Sequence, residues 1–211
     1  MAALELVEVV KVVKTFGSTV ALRGIDALFG PGLTLVEGAN GSGKSTLLGL
    51  LSMAIAPSSG QILVEPGGLG YEAIRAEVGW LSHELLAYPD LSGRQNVELA
   101  ARLRGVDPAR AWKWASSRMG IGRFGERPLR TNSRGQRQRI ALARALVHQP
   151  SLVLLDEPTT GLDDKGVAML LGLVQELCDQ GAIVLSVSHS PELFAGLKHG
   201  RLVLEGGRVV S

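Results

Sequence analysis

One cysteine, Cys178, stands in the 211 residues of the chain. That excludes an internal disulfide, and its place in a helical pattern gives it a packing role. The start, Met1-Ala2-Ala3-Leu4-Glu5, is acidic early and alternates, which does not read as a signal peptide and points to a cytosolic setting. Apolar runs are short as well, and none approaches the ~18 residues of a membrane-spanning helix. No internal repeat, low-complexity linker or heptad run is visible, which leaves an uninterrupted globular pattern. Aromatics are scarce, at 4%, and nucleic acid is not expected as a partner.

What is present is an ordinary globular composition, 45% apolar and 20% charged, enough for one substantial core or a core with a subdomain. The net charge of +2 conceals an uneven spread. Residues 84–149 carry 13 basic and 5 acidic side chains, a balance of +8, whereas the remainder carries 9 and 15, a balance of −6. Either the middle segment meets something acidic, such as lipid headgroups or a partner, or it is a set of solvated Arg-bearing helices.

The most specific stretch is Gly38-Ala39-Asn40-Gly41-Ser42-Gly43-Lys44-Ser45, which fits the G-x4-G-K-[ST] phosphate-binding loop. The apolar run Leu33–Val36 before it reads as a strand and Thr46–Leu51 after it as the start of a helix. In that context glycines let successive backbone N–H groups turn inward on an anion, and the helix N-terminus adds its positive dipole end. Lys44 can then reach the β- and γ-phosphates, and the Ser45 hydroxyl can hold Mg²⁺.

Around this loop the pattern alternates between the two periods. Strands are expected over 4–13, 20–29, 61–64 and 78–81, with turns at Phe16-Gly17, Pro31-Gly32, Pro57–Gly60 and Pro66–Gly68. Helical periodicity follows: Ser92 caps one helix running through Asn96, Leu99 and Leu103, and Asp107-Pro108 opens a second through Trp112 and Met119. Residues 120–132 read as loop, and Ser133 caps a third helix with Ile140, Ala143 and Val147 on one stripe. Leu152–Leu155 is a continuous apolar run, as in a strand buried on both faces. A helix over 165–177, a strand over 182–187, a short helix over 191–197 and a hairpin over 202–210 complete an α/β core with an all-helical insertion near 84–149.

Asp156-Glu157 ends the apolar run, where ligands sit in open α/β sheets. Asp156 is placed to hold Mg²⁺, and Glu157 to orient or deprotonate an attacking water. His189 ends the strand Ser186–Ser188 and could contact the γ-phosphate. In Asn132-Ser133-Arg134-Gly135-Gln136-Arg137-Gln138-Arg139 a serine beside glycine opens a helix and offers a hydroxyl and free amides to a second anion. A second anion site on a chain with a complete phosphate loop makes most sense if it serves another copy's nucleotide.

These ordered motifs resemble the ATPase domain of an ABC transporter over nearly the whole chain. The resemblance implies a P-loop NTPase fold of the α/β class, with a RecA-like core, an N-terminal antiparallel β subdomain and an inserted α-helical subdomain, all in one domain over 1–211. It implies ATP and Mg²⁺ as cofactors. Gly38, Asn40, Gly41, Ser42, Gly43, Lys44, Ser45 and Thr46 would cradle the phosphates, with Ser45 and Asp156 on Mg²⁺ and Phe16 stacked on adenine. Lys44, Glu157 and His189 would be catalytic, with His189 as the switch histidine. Ser133, Gly135 and Gln136 match the signature and would meet the nucleotide of a second copy, while Gly161-Leu162-Asp163 matches the D-loop. Two positions depart from the family pattern: the signature reads NSRGQ, with Asn132 and Arg134, and His83 stands where the Q-loop glutamine falls. The His83 region, followed by Glu84–Leu91, is similar to the ATPase of the haem exporter used in cytochrome c maturation. The implied partners are a second ATPase subunit, a homodimer by preference, and separate integral membrane subunits, with the chain peripheral on the cytoplasmic face. Another exporter ATPase, for a drug or lipid, or a soluble non-transport ABC ATPase, are the alternatives.

Overall fold

Two sheets and six helices carry the architecture of the computed structural model, which describes residues 3–83 and 86–211. Glu84 and Leu85, within the expected helical insertion, lie outside the described residues. A three-stranded antiparallel sheet has the order β2-β1-β4, from β1 (Leu6–Phe16), β2 (Thr19–Phe29) and β4 (Ser59–Glu65). A six-stranded sheet has the order β5-β6-β7-β3-β8-β9. Its members are β3 (Gly32–Glu37), β5 (Val78–Leu81), β6 (Leu152–Asp156), β7 (Ile183–Val187), β8 (His199–Glu205) and β9 (Arg208–Val209). All its pairings are parallel except the β8–β9 hairpin.

The apolar runs are strands because both of their faces are covered. Every residue of β6 and β7 is buried, and alternate side chains enter different cores, as the two-residue period requires. Val153, Leu155 and Val184 join a cluster with Ile140, Leu142 and Leu170. Leu152, Leu154, Ile183 and Leu185 join a second one with Leu47, Leu50 and the antiparallel-sheet residues Val7, Val9 and Ile25. The parallel sheet is thus the wall between two cores, with α1 (Lys44–Leu51) contributing to the second core and α5 (Arg134–Leu146) and α6 (Asp164–Asp179) to the first.

Between β5 and β6 run α3 (Gly93–Leu103), α4 (Pro108–Arg118) and α5. The expected starts are present. Ser92 accepts from the Gln95 amide and forms a full capping box, and Asp107 accepts from the Arg110 amide with Pro108 in the first turn. Asn96, expected merely on a helix face, is fully buried. Its Nδ2 donates to the carbonyls of Tyr88 (2.9 Å) and Ser92 (3.0 Å), and its Oδ1 accepts from the Tyr88 amide (2.9 Å), which ties the approach loop to the helix.

Several boundaries differ from expectation. The β1–β2 turn is Gly17-Ser18, with Phe16 still paired to Thr19. β1 outruns its expected end because a bulge at Lys11, whose φ is 47°, lets pairing resume beyond it. β4 begins at Ser59, since Gly60 sits where a Cβ would lie 2.4 Å from the Lys11 carbonyl oxygen. A short helix α2 (Tyr71–Ala76) and a 3₁₀ turn Leu129–Thr131 occupy stretches read as connections. Among the described residues no helix is long and apolar enough to cross a membrane.

Candidate active site

Strand register brings three expected segments to one edge. Val36 of β3 pairs with Val187 of β7, and Val187 pairs with Asp156 of β6. The chain leaves all three strands at the same level, so Gly38, Glu157 and His189 emerge together beyond the carboxyl ends. β5 is parallel and in step, with Leu81 opposite Leu155, so His83 follows at that edge too, exposed.

The phosphate loop is held by what surrounds it. A Cβ on Gly38, whose φ is 143°, would lie 2.2 Å from the Leu204 carbonyl oxygen, and one on Gly43, at φ 108°, would lie 2.5 Å from Leu22 Cδ2. Only glycine allows both the backbone turn and the approach of β8 and β2. Gly43 is the N-cap of α1 and supplies no side-chain cap, and no acidic residue stands in the first turn. The first amides of α1 are therefore left for an external anion. Lys44 is 8% exposed, and its ammonium donates to the carbonyls of Gly38 (2.7 Å) and Ala39 (2.9 Å), which holds it over the loop. Ser42 Oγ is buried without a hydrogen-bond partner, an unspent polar group within the cradle. Asn40 and Ser45 are exposed and Thr46 is half-buried.

Asp156 is buried at the end of β6, and among the described residues no donor is bonded to its carboxylate. No cluster of three or more His, Cys, Asp or Glu side chains that could hold a metal occurs among the described residues. One carboxylate with the Ser45 hydroxyl is a sparse, hard oxygen set. That set fits Mg²⁺, which completes its shell with water and substrate phosphate rather than with a protein cage.

Glu157 adopts the left-handed conformation, φ 52°. Its amide still donates to the Val187 carbonyl (2.9 Å), the last rung beside β7. Its carboxylate accepts from the His189 amide (3.2 Å), and His189 Nε2 lies 3.4 Å from the other carboxylate oxygen. That second oxygen, Oε1, is buried without a hydrogen bond. Oε1 faces the His189 ring but spends no lone pair in a hydrogen bond, so the carboxylate keeps the capacity to accept a proton from a water brought against it.

The α5 start forms a separate group. Ser133 Oγ accepts from the Gln136 amide (3.3 Å), and Gln136 Oε1 accepts from the Ser133 amide (3.0 Å). A Cβ on Gly135 would lie 2.3 Å from the Gly161 carbonyl oxygen, so the helix start rests directly on the 161–163 segment. The Arg134 stem lies over Gly161. Arg139 pairs with Asp163 at 2.7 Å, and Asp163 caps α6 through the Gly166 amide. That amide first, and the Arg139 guanidinium after it, hold the Asp163 carboxyl below the usual range. Among the described residues no hydrogen bond or ion pair joins Ser133, Gly135 or Gln136 to residues 38–45. Phe16 lies half-exposed, with Lys14 Nζ 4.9 Å above its ring, on the hairpin whose β2 meets the phosphate loop at Gly43.

Gln138 was not expected at the site. It is buried in α5 and its Nε2 donates to the carbonyls of Glu157 (3.3 Å) and Pro158 (3.1 Å). The signal was a lone amide on the buried stripe shared with Leu142 and Ala145.

Residues 30–160 match the family described as ABC transporter. The chain is 38% identical over 180 residues to the cytochrome c biogenesis ATP-binding export protein CcmA 2 of Cupriavidus metallidurans, covering 82% of this chain and 84% of that one. It is 35% identical over 204 residues to the daunorubicin resistance ATP-binding protein DrrA3 of Streptomyces coeruleorubidus, covering 94% of this chain but only 65% of that relative's length. A solved dimeric structure of a bacterial ABC transporter cassette superposes with a TM-score of 0.84 at 25% identity, over 97% of each chain. The chain belongs to the ABC transporter family, as one of its ATP-binding ATPase cassettes.

Proposed function

We propose that this cassette hydrolyses ATP to drive export through separate membrane subunits, working as a head-to-tail pair at the cytoplasmic face. The observation that carries the reading is the division of the site residues into two groups. A complete phosphate cradle with its acids lies at the strand ends, and a second anion-ready helix start lies at Ser133; among the described residues no hydrogen bond or ion pair joins Ser133, Gly135 or Gln136 to the cradle residues 38–45. Each group is half of a nucleotide site, and a second copy supplies the other half. The likeness to a dimeric cassette supports that pairing.

In this reading the α1 amides, Gly38, Asn40, Gly41, Ser42, Gly43 and Thr46 bind the phosphates, and Phe16 stacks on adenine. Lys44 leaves the loop carbonyls for the β- and γ-oxygens, exchanging two neutral acceptors for charged ones. Ser45 and Asp156 would hold Mg²⁺, which would supply neutralisation of phosphate charge. Glu157 takes the proton of the attacking water, and His189, anchored to the Glu157 carboxylate through its own amide, faces the γ-phosphate. Ser133, Gly135 and Gln136 of the partner copy close the site from the other side, with Asp163 in the segment beneath them. His83, at the same edge, lies between the nucleotide and the helical region that would dock on the membrane subunits.

The likeness to CcmA 2 favours a cargo connected with cytochrome c biogenesis, so haem-related export is the finer form of the proposal. The DrrA3 likeness favours the broader class, export of a small molecule. The chemistry is tested by steady-state turnover of Glu157→Gln. The expected loss is about 10²- to 10⁴-fold in kcat with ATP still bound, and full turnover would remove Glu157 from its role. Co-purification with cytochrome c maturation membrane proteins would support the cargo, and recovery of an unrelated permease would discard it.

A further inference from the structure

Among the described residues four that are not glycine have a positive φ, and Glu157 is the one at the strand ends of the candidate site. Its conformation must be held by its surroundings, because a side chain in this region is disfavoured wherever the chain is free to relax. β6 leaves the ladder here. The Glu157 amide still meets β7, but its carbonyl has turned away from the sheet. That carbonyl is met by Gln138 Nε2 at 3.3 Å and by the Thr160 amide at 3.2 Å, and the same Gln138 nitrogen reaches the Pro158 carbonyl at 3.1 Å. Two carbonyl oxygens in front of the amide leave only the NH₂ orientation able to bond.

Gln138 stands on the helix that opens at Ser133, five residues or about 7.5 Å along the axis from it. Two further contacts join that helix to the segment after Glu157. One is the close approach of Gly135 to Gly161, and the other is the Arg139–Asp163 ion pair. The first turns of α5 and residues 157–163 are therefore fastened at three points, and the point nearest the reacting group is Gln138.

We propose that Gln138 is a positioning residue for ATP hydrolysis: it holds the Glu157 backbone in its left-handed turn and carries the placement of the Ser133 end of α5 to that carboxylate. A nucleotide docked by the partner copy against Ser133 is thereby sensed at this chain's own base. The inference rests on the reading of Glu157 as base and of Ser133 as the half-site for the partner's nucleotide.

The test is steady-state ATPase kinetics of the purified full chain carrying Gln138→Leu, which keeps the volume and removes both donors. The expected result is a kcat lower by about tenfold to a hundredfold, a KM for ATP within about twofold of wild type, and ATP-driven pairing retained. A folded variant with unchanged kcat, or one whose loss lies wholly in KM, overturns the proposal. Gln138→Glu gives a second readout. Its carboxyl has a donor only while protonated, so its kcat relative to wild type at the same pH rises as pH is lowered. Wild type measured at each pH is the reference for the ionisable neighbours Glu157, His189, Arg139 and Asp163, and a flat ratio contradicts the role. Glu157→Gln separates the two levels. If it is inactive while Gln138→Leu is fully active, only the positioning role falls; if Glu157→Gln itself turns over normally, the reading of the base falls first.

Discussion

Two helices in this molecule start where a phosphate could sit, and they start differently. α1 opens on Gly43, which offers no side chain, and the Lys44 ammonium beside it rests on loop carbonyls. α5 opens on Ser133 with a reciprocal capping box to Gln136. The first start is open and supplies free amides together with a lysine. The second has satisfied its Gln136 amide internally and keeps the amides of residues 134 and 135. A single chain is thus prepared to bind phosphate at α1, whereas α5 needs a stronger acceptor brought to it. Glycine capping makes a binding site and side-chain capping makes a stable helix that is engaged later.

That contrast is most directly broken at Lys44. Lys44→Ala should weaken ATP binding by about a hundredfold, the equivalent of losing one or two charge-assisted hydrogen bonds, as read by isothermal titration of the isolated chain. Unchanged affinity would mean that α1 is not the open site.

The next effect concerns the other end of α5. His148 is pushed down to about 4, by burial first and by the Arg104 charge second, with the bond to the Val78 carbonyl opposing. The folded value is below the ordinary 6.5, so the unfolded chain takes up a proton that the folded chain refuses as pH falls between them. The stability of the neutral, half-buried imidazole is full above pH 6.5 and is lost toward pH 4, by roughly 2–3 kcal/mol. Urea unfolding of His148→Gln should show a shallower acid limb over that window, and parallel curves for the two proteins would contradict the assignment.

The smallest effect sharpens the contrast itself. Ser133→Ala should cost about 1 kcal/mol of stability by loss of the cap. It should leave ATP affinity of the isolated chain unchanged while weakening ATP-driven pairing. A drop in affinity comparable to that of Lys44→Ala would place both helix starts at one nucleotide.

Much of this was legible in the sequence because local physics determined it. The apolar runs 152–155 and 183–187 are strands since both faces are buried, and Ser92, Asp107 and Ser133 are caps since their side chains reach an amide three residues on. The phosphate loop was legible for the same reason: a strand, glycines and a helix start follow one another in the chain. Gln138 was not, because its two acceptors lie 19 and 20 residues away and only packing of α5 on the end of β6 brings them together. The left-handed turn at Glu157 was hidden too, since no glycine or asparagine marks it. α2 escaped because six residues with no buried side chain show no helical period.

Sedimentation of Glu157→Gln with and without MgATP tests the central claim most directly. The account predicts a monomer without nucleotide and a stable dimer with ATP that Lys44→Ala abolishes in the same background. A protein that stays monomeric while binding ATP with full affinity would contradict the division of one nucleotide site between two copies.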